Sequence, residues 1–304
     1  MSFSLGRTVK SLQPLTDTMA RFVLQSILAL AVATSALPTD NSTTYVGPAN
    51  GNLVIVGGGS LDDSILQKVI DLAGGNDSSI VVIPTAQGDP SYDQNAANAD
   101  DFRRLGSKSV TVLHTYDPDV ANTEEFVQPL LNATGVWFGG GRQWRLVDAY
   151  AGTLTEQKIR AVLDAGGVIG GSSAGASIQG DFLARGDTES NSLIIGDHQQ
   201  GFAYVKNVAI DQHVLVRNRQ FDMLNVLKYK PGILGISINE NTAIHVSKNT
   251  AEIFGASYAI IYDGTYWSRD GGDANQIPDP SGLFYFLRQG DIYDLGLRKV
   301  VHAS

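Results

Sequence analysis

Gly166-Gly167-Val168-Ile169-Gly170-Gly171-Ser172-Ser173-Ala174-Gly175-Ala176-Ser177-Ile178-Gln179 is the stretch whose reading decides the fold. A short apolar strand ends in glycines and turns at once into a helix, which can hold a serine in a sharp, strained bend with its hydroxyl exposed. The helix N-terminus then lies behind that oxygen. Gly171-x-Ser173-x-Gly175 fits such an elbow, and Ser173 is the candidate nucleophile. Glycine-rich turns between strand and helix also occur without any such role, so the elbow needs partners elsewhere in the chain.

Outward from the elbow, short apolar runs alternate with helical periodicity. Leu53-Val54-Ile55-Val56 ends in Gly57-Gly58-Gly59, and Ile65, Leu66, Val69, Ile70 and Leu72 then repeat at helical spacing. Asp62 stands where a dinucleotide fingerprint needs its third glycine, so the triplet reads as a turn. Ile80 to Ile83, a polar helix near Ala96 to Leu105, Val110 to Leu113, a helix around Glu124 to Leu131 and Val136-Trp137-Phe138 continue the alternation. A helix through Trp144, Leu146 and Val147 follows, and another opens on a capping box, Thr153 with Glu156. These patterns predict a three-layer α/β fold, a mostly parallel sheet with helices on both faces. Asp181 to Lys206 is polar and aperiodic and reads as a surface excursion. Beyond Ala243 the pattern is of hairpins, so antiparallel strands are expected at the C-terminal edge of the sheet.

The chain has 304 residues, 43% hydrophobic, with 33 glycines and 10 prolines, which suits a globular enzyme. Met19-Ala20-Arg21, the apolar run Phe22 to Ala33 and the small residues Thr34-Ser35-Ala36 read as a signal peptide preceded by an N-terminal extension. The expected organisation is a removable segment over 1–36, a flexible lead-in over 37–51 and a single catalytic domain over 52–304. Secretion follows from that reading, as does the absence of a membrane anchor in the mature chain. The sequons at Asn41, Asn76 and Asn132 are candidate glycosylation sites. Removing residues 1–36 takes away three basic residues and one acidic one, deepening the net charge from −9 to −11. An acidic surface with no basic run argues against nucleic acid as a partner. With no cysteine in the chain, thiol catalysis and thiolate metal sites are excluded, and no metal or organic cofactor is indicated.

A serine nucleophile needs a base, and the base needs an acid to orient it. Of five histidines, His213 alone follows an apolar strand in charged company, with Asp211 and Gln212 before it and Arg217 and Arg219 after it. Glu240, just past the Ile233 to Ile238 run, is the candidate acid. Asp211 is the alternative, but two residues before the base it would project to the opposite side of an extended segment. Backbone amides of the Gly139-Gly140-Gly141 turn, with that of Ala174, are candidates for an oxyanion hole.

These motifs together resemble cyanophycinase and the aspartyl dipeptidases of the same serine peptidase family. The resemblance rests on Phe138-Gly-Gly-Gly-Arg-Gln143, the Gly170 to Ala176 elbow, Asp211-Gln-His213 with Arg217-x-Arg219, and Gly235-Ile-Ser-Ile-Asn-Glu240-x-Thr242-Ala243. It implies a class I glutamine amidotransferase-like fold, a Ser173, His213, Glu240 triad, and a substrate site lined by Gln143, Asp211, Gln212, Arg217 and Arg219. Cyanophycinase releases β-Asp-Arg dipeptides from a polymer with a polyaspartate backbone, so a peptide or polyaspartate-type substrate and a homodimer are implied. Arg142, Asn239 and Asp222 depart from the family pattern, which moves the expectation towards another aspartyl or β-aspartyl peptide. Two other classes compete: an α/β-hydrolase esterase with a late histidine such as His245 or His302 as base, and a non-catalytic binding protein on the same fold.

Overall fold

The computed structural model describes residues 1–2, 44–270 and 283–304. The expected signal segment and Asn41 fall largely or wholly outside the described residues. Five parallel strands, β1 (Asn52–Val56), β2 (Ser79–Ile83), β3 (Ser109–Val112), β4 (Gly135–Phe138) and β5 (Val168–Ser172), form one side of the main sheet. Their spatial order is β3-β2-β4-β5-β1. Beyond β1 the sheet continues antiparallel through β9 (Thr242–Ser247), β10 (Thr250–Gly255), β13 (Ile292–Asp294) and β14 (Lys299–His302). The mostly parallel α/β sheet and its antiparallel C-terminal edge are thus as the periodicity predicts.

A second sheet was not legible as such. It has five strands: β6 (Gly180–Phe182), β7 (Val205–Gln212) and β8 (Leu234–Ile238) run parallel, and β11 (Tyr258–Tyr262) and β12 (Tyr285–Arg288) antiparallel. Alternation along each strand places it. Leu53 and Ile55 of β1 share one apolar cluster with Val208 and Ile210 of β7 and with Leu234, Ile236 and Ile238 of β8. Val54 and Val56 face the other way, onto Ile65, Leu66, Val69 and Ile70 of helix α1 (Asp63–Leu72) and Phe102 of α2 (Ala99–Arg104). The outer face of the second sheet, with Ala209 and Ile260, takes Met223 and Val226 from a helix over 223–229.

Local differences have local causes. Instead of one helix around 124–131 there is a single turn, α3 (Pro118–Ala121), and a 3-10 turn over 128–132, because Pro129 has no N–H to continue a helix. Helix α4 (Trp144–Tyr150) precedes α5 (Leu154–Asp164), which buries Ile159, Val162 and Leu163 as expected. Its capping box is displaced: Thr153 Oγ1 donates to the Tyr150 carbonyl, and Glu156 accepts from the Gly152 N–H. The lead-in is anchored from Val46 on, through bonds of Val46 to Asn249, Gly47 to Lys248 and Gly51 to Leu163.

Candidate active site

Ser173 follows β5 with φ +58 and ψ −110 and opens the short helix α6 (Ala174–Ser177). A β-carbon on Gly171 would lie 2.3 Å from the Gly175 carbonyl oxygen, and one on Gly175 would lie 2.2 Å from that of Phe138. Only glycine lets the helix turn back this tightly against β5 and β4. The strained serine is tied down by its own N–H, which donates to the Val56 carbonyl at 3.0 Å.

His213 follows β7 and is also held at positive φ, +55. Its N–H donates to Gly57 O, which fixes it over the end of β1. Nε2 stands 2.8 Å from Ser173 Oγ, and Nδ1 stands 2.5 Å from Glu240 Oε1. A carboxylate can only accept, so Nδ1 carries the proton and Nε2 offers its lone pair to the serine hydroxyl. Burial pushes the His213 pKa below its ordinary value; Glu240 works against that shift, and the charges of Arg217 and Arg219 reinforce it. The environment therefore favours the neutral imidazole, the form a base must have. Ser173 comes from the main sheet, His213 and Glu240 from the second, so the packing of the two sheets assembles this row.

Gly140 lies against Ser173: a β-carbon there would be 3.4 Å from Ser173 Cβ and 3.9 Å from Oγ. The N–H groups of Gly140, Gly141 and Ala174 have no acceptor among the described residues. Arg142 N donates to Ala86 O and pins the turn to the segment after β2. The Arg142 side chain donates to Asp187 O, and Gln143 Nε2 to Ala184 O, both at 2.6 Å. Gln143 is fully buried and its Oε1 is left without a partner.

The excursion from Asp181 is more than surface. Phe182, Leu183, Ala184, Phe202 and Tyr204 are buried, and so is Arg185. Its polar residues serve turns, as where Asp187 Oδ1 accepts from the N–H groups of Glu189 and Ser190.

The residues expected to line a substrate site divide. Arg217 is exposed; its backbone N–H donates to His213 O, and its guanidinium makes no hydrogen bond or ion pair among the described residues. Arg219 is 9% exposed and donates to Gln212 O, Gln212 Oε1 and Asn191 O. Gln212, 2% exposed, therefore holds Arg219. Asp211 is a correction: it is fully buried, with both carboxylate oxygens on Arg185, and so it cannot touch a substrate. Asn239, which in the sequence stands out only as a departure from the family pattern, accepts at Oδ1 from Leu215 N and Val216 N and so shapes the loop after the base.

His245 bonds Asn52 at the opposite end of β1 from the elbow, and His302 lies on β14, the outermost strand, so neither is placed to serve Ser173. Asn76 and Asn132 are exposed. No group of three or more His, Asp or Glu side chains among the described residues is placed to hold a metal.

An α/β sheet that presents a serine on such an elbow, beside a buried histidine and a carboxylate, has the frame of a serine hydrolase. The sequence model of peptidase family S51 matches residues 53–254, and the chain belongs to that family, a serine-type peptidase family. It is 31% identical to a cyanophycinase from Geminocystis herdmanii over 255 residues, 79% of this chain and 93% of the relative. A cyanophycinase from Synechococcus elongatus is 29% identical over 86% of this chain and 85% of its own length. The crystal structure of a peptidase from an acI-B1 Actinobacterium has the same fold, with a TM-score of 0.61 at 22% identity, covering 82% of this chain and 98% of that one.

Proposed function

We propose that this peptidase is secreted and hydrolyses peptide bonds at aspartyl or β-aspartyl residues, in cyanophycin or a related acidic peptide. The observation that carries the reading is the continuous row Glu240, His213, Ser173, with the exposed guanidinium of Arg217 close enough for its charge to act on His213.

In this mechanism His213 Nε2 takes the Ser173 proton as Oγ attacks the scissile carbonyl. Glu240 holds the Nδ1 proton and stabilises the imidazolium that forms. The negative charge on the tetrahedral oxygen falls to the unspent amides of Gly140, Gly141 and Ala174. His213 then gives its proton to the leaving amine, and an acyl-enzyme on Ser173 remains. Water, deprotonated by His213, attacks the ester and releases the serine. Arg217 and Arg219 bind a substrate carboxylate, which suits a paired-arginine site in an otherwise acidic protein.

Incubation of the mature protein and of Ser173→Ala with cyanophycin and with α- and β-aspartyl peptides tests this, with products read by mass spectrometry. Release of β-Asp-Arg, or cleavage of aspartyl peptides, by the wild type alone is expected. Cleavage that persists in Ser173→Ala would contradict the mechanism, and cleavage confined to peptides lacking an aspartyl residue would contradict the substrate.

A further inference from the structure

Arg185 is fully buried, and its backbone is held at φ +59, a conformation that costs a non-glycine residue free energy. All five of its N–H donors are spent. Nε donates to Asp211 Oδ1 at 2.8 Å, and Nη2 donates to Asp211 Oδ2 at 2.9 Å and to Asp222 Oδ2 at 2.6 Å. Nη1 donates to the carbonyls of Asn191 and Ser192. Arg219 donates to the same Asn191 carbonyl, so the two guanidiniums are neighbours.

The two carboxylates in this cluster belong to the segments that carry the substrate-facing arginines. Asp211 stands two residues before His213, and Asp222 three residues after Arg219. Both act on Arg219 electrostatically, raising its pKa, while burial and the neighbouring Arg185 lower it, with a net value of about 10. Yet neither carboxylate bonds Arg219 or Arg217. Arg219 is held instead by neutral groups, two carbonyls and an amide oxygen. Arg185 and Arg219 both feel the two carboxylates, and Arg185, the more deeply buried, engages both of them.

We propose that Arg185 is a specificity-determining positioning residue: by holding Asp211 and Asp222 it keeps them off Arg219 and Arg217, whose charges stay free for a substrate carboxylate. This rests on the reading of the arginines given under the proposed function. A lysine cannot do the same, because one ammonium has no fork to grip Asp211 bidentately while reaching Asp222. A carboxylate released from Arg185 would turn to Arg219 and compete with the substrate.

The test compares a β-aspartyl peptide bearing a free carboxylate beside the scissile bond with its carboxamide analogue, by kcat/KM. In Arg185→Lys the preference for the carboxylate is expected to fall roughly three- to tenfold, the worth of a partly buried ion pair, through KM rather than kcat. The carboxamide should be cleaved as in the wild type. Adding Asp222→Asn to Arg185→Lys should restore the preference. Equal losses on both substrates, or no recovery in the double variant, would overturn the inference.

Should Arg185→Lys fail to fold, the triple variant Arg185→Met, Asp211→Asn, Asp222→Asn decides the same point without leaving a buried charge unpaired. Retained carboxylate preference supports the inference, and lost preference overturns it. Arg217→Met and Arg219→Met separate the two levels. If they leave the preference intact, or the wild type has none, the substrate reading fails and the inference with it. If they abolish it while Arg185→Lys does not, only the role of Arg185 falls.

Discussion

Gly58 and His213 approach so closely that no side chain fits between them: a β-carbon on Gly58 would lie 2.3 Å from the imidazole Cε1. Gly58 also sits at φ +107, where L-residues are strained. Its neighbour Gly59 stands in the same relation to Glu240, with 2.6 Å to Oε2. The glycines that end β1 are the floor on which the base and its acid rest.

Gly58→Ala is therefore expected to displace the imidazole. The overpacking costs about 1–3 kcal/mol of stability. The displaced base costs on the order of a hundredfold in kcat, since a shift of about 1 Å in a catalytic group has that effect. Denaturant unfolding and steady-state kinetics on one preparation check both, and a fully active, equally stable variant would show that the close approach is not needed.

Replacing members of the row should give graded losses. Ser173→Ala is expected to lower kcat by at least about ten thousandfold with thermal unfolding unchanged, and Glu240→Gln to lower it by about a thousand- to ten-thousandfold through the wrong imidazole tautomer. Combining the two should cost no more than Ser173→Ala alone, because the residues act as a unit.

The acid limb of the pH profile reports His213. Its neutral form is the active one, so kcat/KM should rise with pH through a midpoint below the ordinary histidine value, since burial and the two arginines favour the neutral ring. Removing a positive charge in Arg217→Met makes the imidazolium easier to form and should move that midpoint up. An unchanged or lowered midpoint would contradict the electrostatic account.

Asp291 supplies a stability prediction far from the chemistry. It is buried and accepts from the Arg269 guanidinium and from the N–H groups of Arg288 and Ser304. Burial raises its pKa, but these donors together bring it below the ordinary aspartate value. A depressed carboxylate stabilises the fold above its unfolded pKa, and that contribution is lost as pH falls through the folded one. Asp291→Asn should lower Tm at neutral pH and lessen its further fall below about pH 4. A Tm unchanged at neutral pH would contradict this role.

Much of the fold and of the site could be read from the chain because the signals are local. Alternation and glycine punctuation marked β1 to β5, and the Gly171-Ser173-Gly175 elbow marked the serine. His213 and Glu240 could be chosen because each closes an apolar strand. What stayed hidden depends on long-range packing. Nothing in the pattern of β7 and β8 tells that they leave the main sheet for a second one, since a strand buried on both faces reads the same in either. Asp211 read as a site residue because of its company, and only the fold shows its side chain turned to Arg185, 26 residues earlier. The excursion read as surface because its polar residues bond one another and its own backbone, which composition cannot distinguish from solvation. Gly57 to Gly59 were visible as a turn, but their contact with His213 and Glu240 needs the register of β1 against β9.

The central claim is that His213 activates Ser173, and labelling by a fluorophosphonate tests it most directly. Intact mass and peptide mapping would follow the rate and position of modification in the wild type, Ser173→Ala and His213→Ala. The expected result is one adduct per chain, on Ser173, absent from Ser173→Ala and formed far more slowly in His213→Ala. An adduct on another residue, or equal labelling rates with and without His213, would contradict the account.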